Sequence, residues 1–365
     1  MEQPLSATEA ALSRGGTRLV TRLIREGDRS AEVADVQARL RSLKFEIDDV
    51  TGNFGTSTKS AVRTFQQRRG ILVDGIVGPH TWSQLVEASW RLGDRGLYLK
   101  QPMMRGDDVL VLQGRLNALG FDAGREDGIF GEDTATAVRA FQKEYGVAED
   151  GIFGPTSYAA LQGLRVDRPG TAALLREQLR TAGSELADAV VVIDPGHGGD
   201  DLGASGSNGL CEADICWDVA GRIASRLAMR GARVRFSRTE AEGPEPSERA
   251  HRANTLDAEL FVSLHLNSHD RPAAHGASTY HFVSSGAGAA LGECIQTELV
   301  KLGLLDCRNH GRSYPLLRET KMPAVIVEPA FITNPDDEKR LEDPEFRDAV
   351  AGAIARGIVR YFESS

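Results

Sequence analysis

The stretch Val190-Val-Val-Ile-Asp-Pro-Gly-His-Gly-Gly199 decides the fold of the carboxyl-terminal half of this chain. Its apolar, mostly β-branched residues run directly into Asp-Pro-Gly, a pattern that predicts a buried strand ending at a tight turn. In open α/β sheets, ligand sites form beyond the carboxyl ends of the strands. We therefore expect His197 at such an end, where the neighbouring glycines leave space for a ligand or metal.

Two more apolar runs end in residues that can bind a metal or move a proton. Leu260-Phe-Val-Ser-Leu-His265 and Ala324-Val-Ile-Val-Glu328 both read as buried strands. A single His or Glu in such a place is more often structural. Three strands that each end in His, His or Glu are a different case, because a parallel sheet brings these ends to one edge. Burying so many polar groups without a shared purpose is costly.

A second carboxylate, Glu212, opens a helical pattern in which apolar residues recur every four positions. A Glu in the first turn also complements the helix dipole, which is the structural explanation for it. Two His and one Glu form a known ligand set for catalytic zinc, with a fourth position for water. A further carboxylate then serves as general base and acid. The sequence contains no H-E-x-x-H, which excludes a metalloprotease site built on one helix.

The motifs Asp194-Pro-Gly-His-Gly-Gly199, Glu212, Ser263-Leu-His-Leu-Asn267 and Val327-Glu-Pro-Ala-Phe-Ile-Thr-Asn334 resemble those of the zinc-dependent N-acetylmuramoyl-L-alanine amidases of the amidase_3 type. The resemblance covers about residues 188–363. Further residues fit the same pattern: Arg238, Arg249, Asn254 and the run Leu317-Arg-Glu-Thr-Lys-Met-Pro323. The chain departs from the family at Pro329-Ala330, where a small or aliphatic residue and Gly are more usual.

The resemblance implies a mainly parallel sheet flanked by helices. It implies that His197, Glu212 and His265 hold Zn²⁺ and that Glu328 is the catalytic carboxylate. The implied reaction is hydrolysis of the amide between the lactyl group of N-acetylmuramic acid and L-alanine of the stem peptide.

The front half contains an internal repeat, seen in three pairs of segments at one constant offset. Ala61-Val-Arg-Thr-Phe-Gln66 matches Ala137-Val-Arg-Ala-Phe-Gln142, and Asp74-Gly-Ile-Val-Gly-Pro79 matches Asp150-Gly-Ile-Phe-Gly-Pro155. The third pair is Val33–Leu43 with Val109–Leu119. Each copy has apolar residues at helical spacing and a Pro near the start of its last helix. Each therefore predicts a small three-helix domain.

The two copies resemble the type 1 peptidoglycan-binding domain, which implies peptidoglycan or muropeptides as ligands. Most of the motif residues specify the fold rather than the ligand. The sequence therefore predicts a multi-domain chain in which two all-α three-helix modules precede an α/β domain. Its predicted parts are an extension (1–23), repeat 1 (24–88), repeat 2 (100–164), a linker (165–187) and the zinc amidase domain (188–363).

Composition and charge limit the possible partners and compartment. The formal net charge of −9 argues against nucleic-acid binding. No run approaches the roughly 20 apolar residues of a membrane span, and the acidic amino terminus lacks the features of a signal peptide. The sequence thus predicts a cytoplasmic protein, with the cell wall after lysis or unconventional export as the alternative. The four cysteines predict no disulfide framework, and Cys211 and Cys216 are interpreted as thiols of the helix rather than a second metal pair.

The domain order without an export signal resembles the cytoplasmic amidase homologues of actinobacteria. Some members of that group have lost zinc ligands and regulate peptidoglycan precursor synthesis. Two hypotheses therefore remain. The first is a zinc amidase, favoured because all four chemical positions are filled. The second is a non-hydrolytic or weakly hydrolytic regulator that binds a peptidoglycan precursor enzyme or a muropeptide.

Overall fold

The computed structural model describes residues 23–164, 185–269 and 271–364. The chain divides into two compact units, Met1–Ala173 and Leu174–Ser365. The predicted extension (1–23) lies outside the described residues except for its last residue, and so does most of the predicted linker (165–187). None of the described helices is long and apolar enough to cross a membrane.

The first unit contains two groups of three helices, which confirms the prediction of helical modules. Repeat 1 comprises α1 (Ala31–Ser42), α2 (Thr56–Arg69) and α3 (Pro79–Ala88). Repeat 2 comprises α4 (Asp107–Ala118), α5 (Glu132–Glu144) and α6 (Pro155–Gln162). Pro79 and Pro155 begin the last helix of each repeat, where the missing N–H has no intrahelical partner to lose. Each repeat closes over its own apolar core, centred on Phe65 and Phe141 respectively.

Buried glutamines hold the turns that the repeat motif specifies. The Gln66 side chain donates to the Asp74 carboxylate at 2.7 Å and accepts from the Gly75 backbone N–H at 2.8 Å. Gln142 does the same for Asp150 and Gly151, at 2.7 and 2.9 Å. Both glycines have positive φ angles, 77° and 74°, which residues with a side chain rarely adopt. The Gln and Gly of the motif are therefore structural, as the sequence indicates.

Because each repeat has its own core, residues 24–164 should fold without the rest of the chain. We expect this fragment to show a helical circular dichroism spectrum and a cooperative thermal transition. Phe65→Ala should destabilise it by about 3–5 kcal/mol, since Phe65 is 2% exposed. The control Leu72→Ala removes a side chain that is 72% exposed and should have little effect. A fragment that aggregates, or that responds equally to both changes, would contradict independent folding.

The second unit is an α/β domain whose six strands form one sheet in the order β2-β1-β3-β6-β4-β5. The strands, in chain order, are β1 (Val190–Pro195), β2 (Arg233–Phe236), β3 (Leu260–Leu264), β4 (Ala277–Phe282), β5 (Asp306–Arg312) and β6 (Ala324–Glu328). The first four strands of the spatial order are parallel, and β4 is antiparallel to β6. The sheet is therefore mostly parallel, as predicted.

Helices cover both faces of this sheet. They are α7 (Glu212–Ala228), α8 (Pro246–Thr255), α9 (Gly286–Val300), α10 (Pro315–Glu319), α11 (Pro335–Glu342) and α12 (Pro344–Ser364). Val191 and Ile193 belong to the core beneath α7, α9 and α12, whereas Val192 belongs to the core beneath α8 and α10. Burial on both faces explains why the strands read as continuous apolar runs rather than alternating ones.

Candidate metal centre and active site

The turn after β1 carries His197 in a left-handed backbone conformation, with φ at 56°. Gly196 precedes it and donates its N–H to the Leu264 carbonyl at 2.8 Å. A Cβ on Gly196 would lie 2.5 Å from His265 Cε1 and 2.6 Å from that carbonyl oxygen. Glycine is therefore required here, because it allows the β1 turn and the end of β3 to approach closely enough to bring the two histidines together.

A buried carboxylate fixes the start of the turn. Asp194 is fully buried and accepts hydrogen bonds from the hydroxyls of Ser263, at 2.6 Å, and Ser237. It also pairs with the guanidinium of Arg249 at 3.0 Å. These charge-assisted bonds satisfy a group that would otherwise be costly to bury.

Two arginines bind the backbone carbonyls of the same turn. Arg249 donates to the carbonyls of Pro195 and His197 at 2.7 and 2.6 Å. Arg238 donates to the carbonyls of Pro195 and Gly196 at 2.8 and 3.1 Å. The sequence associated both arginines with the amidase pattern, and in the structure they position the turn that carries His197.

Asn254, the third residue of that pattern, lies away from the histidines. Its side chain donates to the Glu319 carbonyl and accepts from the Lys321 N–H, both at 2.8 Å. It thereby ties α8 to the segment that leads into β6. Its contacts are those of a structural residue.

His197, Glu212 and His265 come together at the carboxyl edge of the sheet. One potential ligand atom from each lies within 4.8 Å of the others, a group able to hold a metal ion. His197 Nε2 and His265 Nδ1 lie 3.1 and 3.0 Å from the same atom, Oε1 of Glu212. Two histidine nitrogens beside one carboxylate oxygen match the donor types of catalytic zinc sites with an open fourth position.

The Glu212 carboxylate is positioned by its surroundings as well as by the two histidines. Glu212 is the first residue of α7 and is 3% exposed. Its oxygens accept from the backbone N–H groups of Leu266 and Ala204, both at 2.9 Å. Burial alone would raise the pKa of Glu212, but hydrogen bonds and charges from His197 and His265 outweigh it and hold that pKa well below its usual value. The carboxylate is thus ionised and available as an anionic ligand.

Asp201 is a site residue that sequence reasoning missed. Its carboxylate lies 2.8 Å from His197 Nδ1, which directs the other ring nitrogen, Nε2, at Glu212. Burial lowers the pKa of His197, but Glu212 and Asp201 outweigh it and raise that pKa overall. A carboxylate that orients a histidine from outside the ligand set is common in metal sites. Its position four residues after His197, in the same loop, was the feature of the sequence that could have identified it.

Glu328 ends β6 opposite Ser278 of the antiparallel strand β4. The Ser278 hydroxyl donates to Glu328 Oε2 at 3.3 Å, and the Tyr280 hydroxyl also hydrogen-bonds to this carboxylate. Burial raises the pKa of Glu328, while the charge of His265 and the two hydroxyls partly oppose that rise. The chemistry expected of a proton-transfer carboxylate requires such a partly desolvated group.

The four cysteines are free thiols. Cys216 is 2% exposed in the core beneath α7. Burial, with the charges of Glu212 and Asp194, raises the pKa of its thiol well above the usual value. A buried thiol with a raised pKa is a poor nucleophile and metal ligand. Cys216 therefore acts as a small core residue of the helix, as predicted.

Comparison with known families identifies three matching segments. Residues 191–360 match the family described as N-acetylmuramoyl-L-alanine amidase. Residues 29–85 and 105–161 each match the family described as a peptidoglycan binding domain. These matches confirm the resemblance inferred from the motifs and the internal repeat.

Three similar proteins cover different shares of the chain. N-acetylmuramoyl-L-alanine amidase CwlM of Mycobacterium tuberculosis is 42% identical, over 93% of this chain and 89% of its own length. N-acetylmuramoyl-L-alanine amidase LytC of Bacillus subtilis is 34% identical, over 53% of this chain and 39% of its own length. The structure of N-acetylmuramoyl-L-alanine amidase AmiC2 of Nostoc punctiforme covers 50% of this chain and 99% of its own, with 34% identity and a TM-score of 0.46. By the similarity to CwlM along nearly its whole length, and by the family match, this chain belongs to the N-acetylmuramoyl-L-alanine amidase family of enzymes.

Proposed function

We propose that this protein is a zinc-dependent amidase that cuts the bond between N-acetylmuramic acid and L-alanine of peptidoglycan stem peptides. The observation that carries this proposal is the cluster of His197, Glu212 and His265 at the sheet edge where Glu328 also lies. Three metal donors beside a separate, partly desolvated carboxylate are the parts that metal-assisted amide hydrolysis requires.

The metal donors would be Nε2 of His197, Nδ1 of His265 and the carboxylate of Glu212. His197 Nδ1 is already engaged by Asp201, so its Nε2 remains for the metal. Bound zinc would supply Lewis acidity, polarising the scissile carbonyl and lowering the pKa of a water. The protein supplies the orientation, because the turn and the Glu212 carboxylate are fixed by backbone hydrogen bonds before any ligand arrives.

Glu328 would move the proton during hydrolysis. Its ionised carboxylate accepts a proton from the attacking water as the water oxygen bonds to the carbonyl carbon. The protonated carboxyl then donates that proton to the leaving nitrogen as the carbon–nitrogen bond breaks. Ser278 and Tyr280 hold the carboxylate in place through their hydroxyls. The burial that raises the pKa of Glu328 makes its carboxylate a stronger base toward the attacking water.

We assign the front half to ligand binding, with repeat 1 at residues 24–88 and repeat 2 at 100–164, and catalysis to residues 188–363. The two segments that match the peptidoglycan binding domain support this assignment. Their role would be to hold wall polymer or muropeptides and so to raise the concentration of substrate near the hydrolytic site.

The experiment that tests this function is incubation of the zinc-loaded protein with a muramyl-peptide. We expect release of free stem peptide with a new amino-terminal alanine, detected by mass spectrometry, and loss of release after chelation. A chelated sample reloaded with zinc serves as the control for damage by the chelator. Binding of muramyl-peptide without cleavage by the zinc-loaded protein would contradict the amidase and favour the regulatory hypothesis.

A further inference from the structure

The loop between β1 and α7, residues 196–211, orients two of the three metal donors. Its Asp201 carboxylate contacts His197 Nδ1, and its Ala204 N–H donates to Oε2 of Glu212 at 2.9 Å. The Glu212 N–H in turn donates to the Ala204 carbonyl at 3.0 Å. A shift of this loop would therefore move the groups that orient His197 and Glu212, without changing either donor.

The tip of the loop is held from outside by one carboxylate, that of Glu338 on α11. Glu338 Oε1 accepts from the Asn208 N–H at 2.8 Å, and Oε2 accepts from the Ser207 N–H and hydroxyl at 3.1 and 2.6 Å. Burial raises the pKa of Glu338, but these hydrogen bonds outweigh it and lower that pKa overall. A Cβ on Gly206 would overlap the carboxylate, so glycine is required at the tip for this close approach.

The Glu338 carboxylate depends on the loop as much as the loop depends on it. Glu338 is 1% exposed, and among the residues that the structure describes it has no arginine, lysine or histidine partner. Other buried carboxylates of this unit differ, since Asp194 pairs with Arg249 and Glu298 pairs with Arg356. A buried carboxylate that loses its hydrogen bonds is costly. Displacing the loop tip would leave such a group unsatisfied, so the loop and α11 are energetically coupled.

The helix that carries Glu338 is itself fixed to the segment that follows Glu328. Asn334 caps α11 by accepting from the N–H groups of Asp336 and Asp337. The Asp337 carboxylate accepts from the Phe331 N–H at 3.0 Å. The helix therefore offers a fixed point for the loop. It joins the loop that orients the metal donors to the strand that ends in the proton-transfer carboxylate.

We propose that Glu338 is a positioning residue of the metal centre, which holds the loop where Asp201 and Ala204 orient the zinc donors. This inference rests on the proposed function, because it assumes that zinc binds at the three donors named above. Glu338 contacts none of these donors, and its effect passes through the backbone of the loop. Loss of Glu338 should therefore weaken zinc binding although every donor is retained.

The test compares the zinc affinity of the full-length protein and four variants by competition with a chromophoric chelator. Glu338→Ala removes every bond to the loop tip. Glu338→Gln keeps the shape but turns an NH₂ group toward one of the backbone donors, and Ser207→Ala removes one hydroxyl. The matched control is Glu342→Gln, because Glu342 lies on the same helix, is exposed, and contacts the Asn208 side chain at 3.0 Å.

We expect Glu338→Ala to raise the Kd for zinc by about 10- to 100-fold, the range for groups that orient metal ligands from outside the ligand set. Glu338→Gln and Ser207→Ala should each raise it by about 2- to 10-fold, the equivalent of one hydrogen bond. Glu342→Gln should match the parent, because exposed side chains contribute little.

Hydrogen exchange of the metal-free protein measures the attachment of the loop directly. In Glu338→Ala, the backbone amides of residues 203–210 should exchange faster than in the parent, because the loop opens more often. The amides of β1 should exchange at the parent rate. This measurement depends on neither bound metal nor activity.

Two outcomes would overturn the inference while leaving the amidase intact. One is a Glu338→Ala variant with a lower unfolding temperature and unchanged zinc affinity, the result for a merely structural carboxylate. The other is unchanged exchange throughout the loop in that variant. If Glu338→Ala does not fold, Glu338→Gln and Ser207→Ala decide the question by their zinc affinities. A parent that binds no zinc would instead contradict the proposed function, and hydrogen exchange would still test the attachment of the loop.

Discussion

Glu328→Gln should lower turnover by about 10²–10⁴-fold, the usual contribution of general acid–base catalysis, without lowering zinc content. Glutamine has the shape of glutamate and can still accept from the Ser278 and Tyr280 hydroxyls, so the wall of the site should keep its form. It cannot take a proton from water at neutral pH. The variant should therefore bind zinc and muramyl-peptide and fail to release the stem peptide.

The control for this variant is Glu293→Gln, which makes the same change on the exposed surface of α9. It should leave activity and zinc content unchanged. A purely structural Glu328 would give a different pattern, in which Glu328→Gln lowers the unfolding temperature but keeps activity per folded molecule. A structural role would require Glu328 to form an ion pair with an arginine at the sheet edge. Its hydrogen-bond partners are instead the hydroxyls of Ser278 and Tyr280. Cleavage by Glu328→Gln at near the parent rate would refute the proposed mechanism at this residue.

The fold of the second unit could be predicted because its strands carry a simple signal. Strands buried on both faces must be apolar along their whole length, and a change to His or Glu then marks the point where a strand leaves the core. The runs that end before His197, His265 and at Glu328 correspond to β1, β3 and β6, which are neighbours in the sheet. Parallel pairing of neighbours brings their ends together, so the meeting of these residues follows from the pattern alone.

The rest of the site could not be predicted because it depends on pairings between distant segments. The antiparallel strand β4 places Ser278 and Tyr280 next to Glu328, although nothing in Ala277–Phe282 marks its direction. Asp201 contacts His197 only because the loop turns back, with Gly198 and Asp201 exchanging backbone hydrogen bonds of 2.8 and 3.1 Å. The fully buried Asp194 could be recognised as part of a motif, but its partners come from three other segments: α8, β3 and the residue after β2.

In the repeats, the sequence predicts the fold but not the ligand. Their turns and helices are local, so Gly, Pro and the apolar spacing specify them directly. The motif does not specify the ligand, because the side chains of Gln66 and Gln142 form hydrogen bonds to turns within their own domains. The exposed apolar side chains also differ between the copies, with Leu72 at 72% in repeat 1 and Ile152 at 44% in repeat 2. Each repeat therefore presents its own surface, even where the internal motif is the same.

His197→Ala should remove most of the zinc from the protein, as measured by elemental analysis after gel filtration in metal-free buffer. Removing a partner outside a ligand set costs about 10–100-fold in metal affinity, so removing a direct donor should cost more. Asp201→Asn tests this ranking of the two losses in zinc affinity, because it keeps the His197 ring and changes only the group that orients it. We expect an intermediate loss of affinity in this variant. His251→Ala, which removes an exposed histidine of α8, should keep full occupancy.

Folding must be separated from metal loss for this result to be decisive. His197 has a positive φ angle, which histidine adopts more readily than alanine, so His197→Ala should slightly lower the unfolding temperature of the metal-free protein. Added zinc should raise the unfolding temperature of the parent and not that of the variant. His265→Ala provides a second variant at the end of β3, where no positive φ complicates the comparison. Undiminished zinc in both variants would refute the ligand assignment, because two of the three donors would then be dispensable.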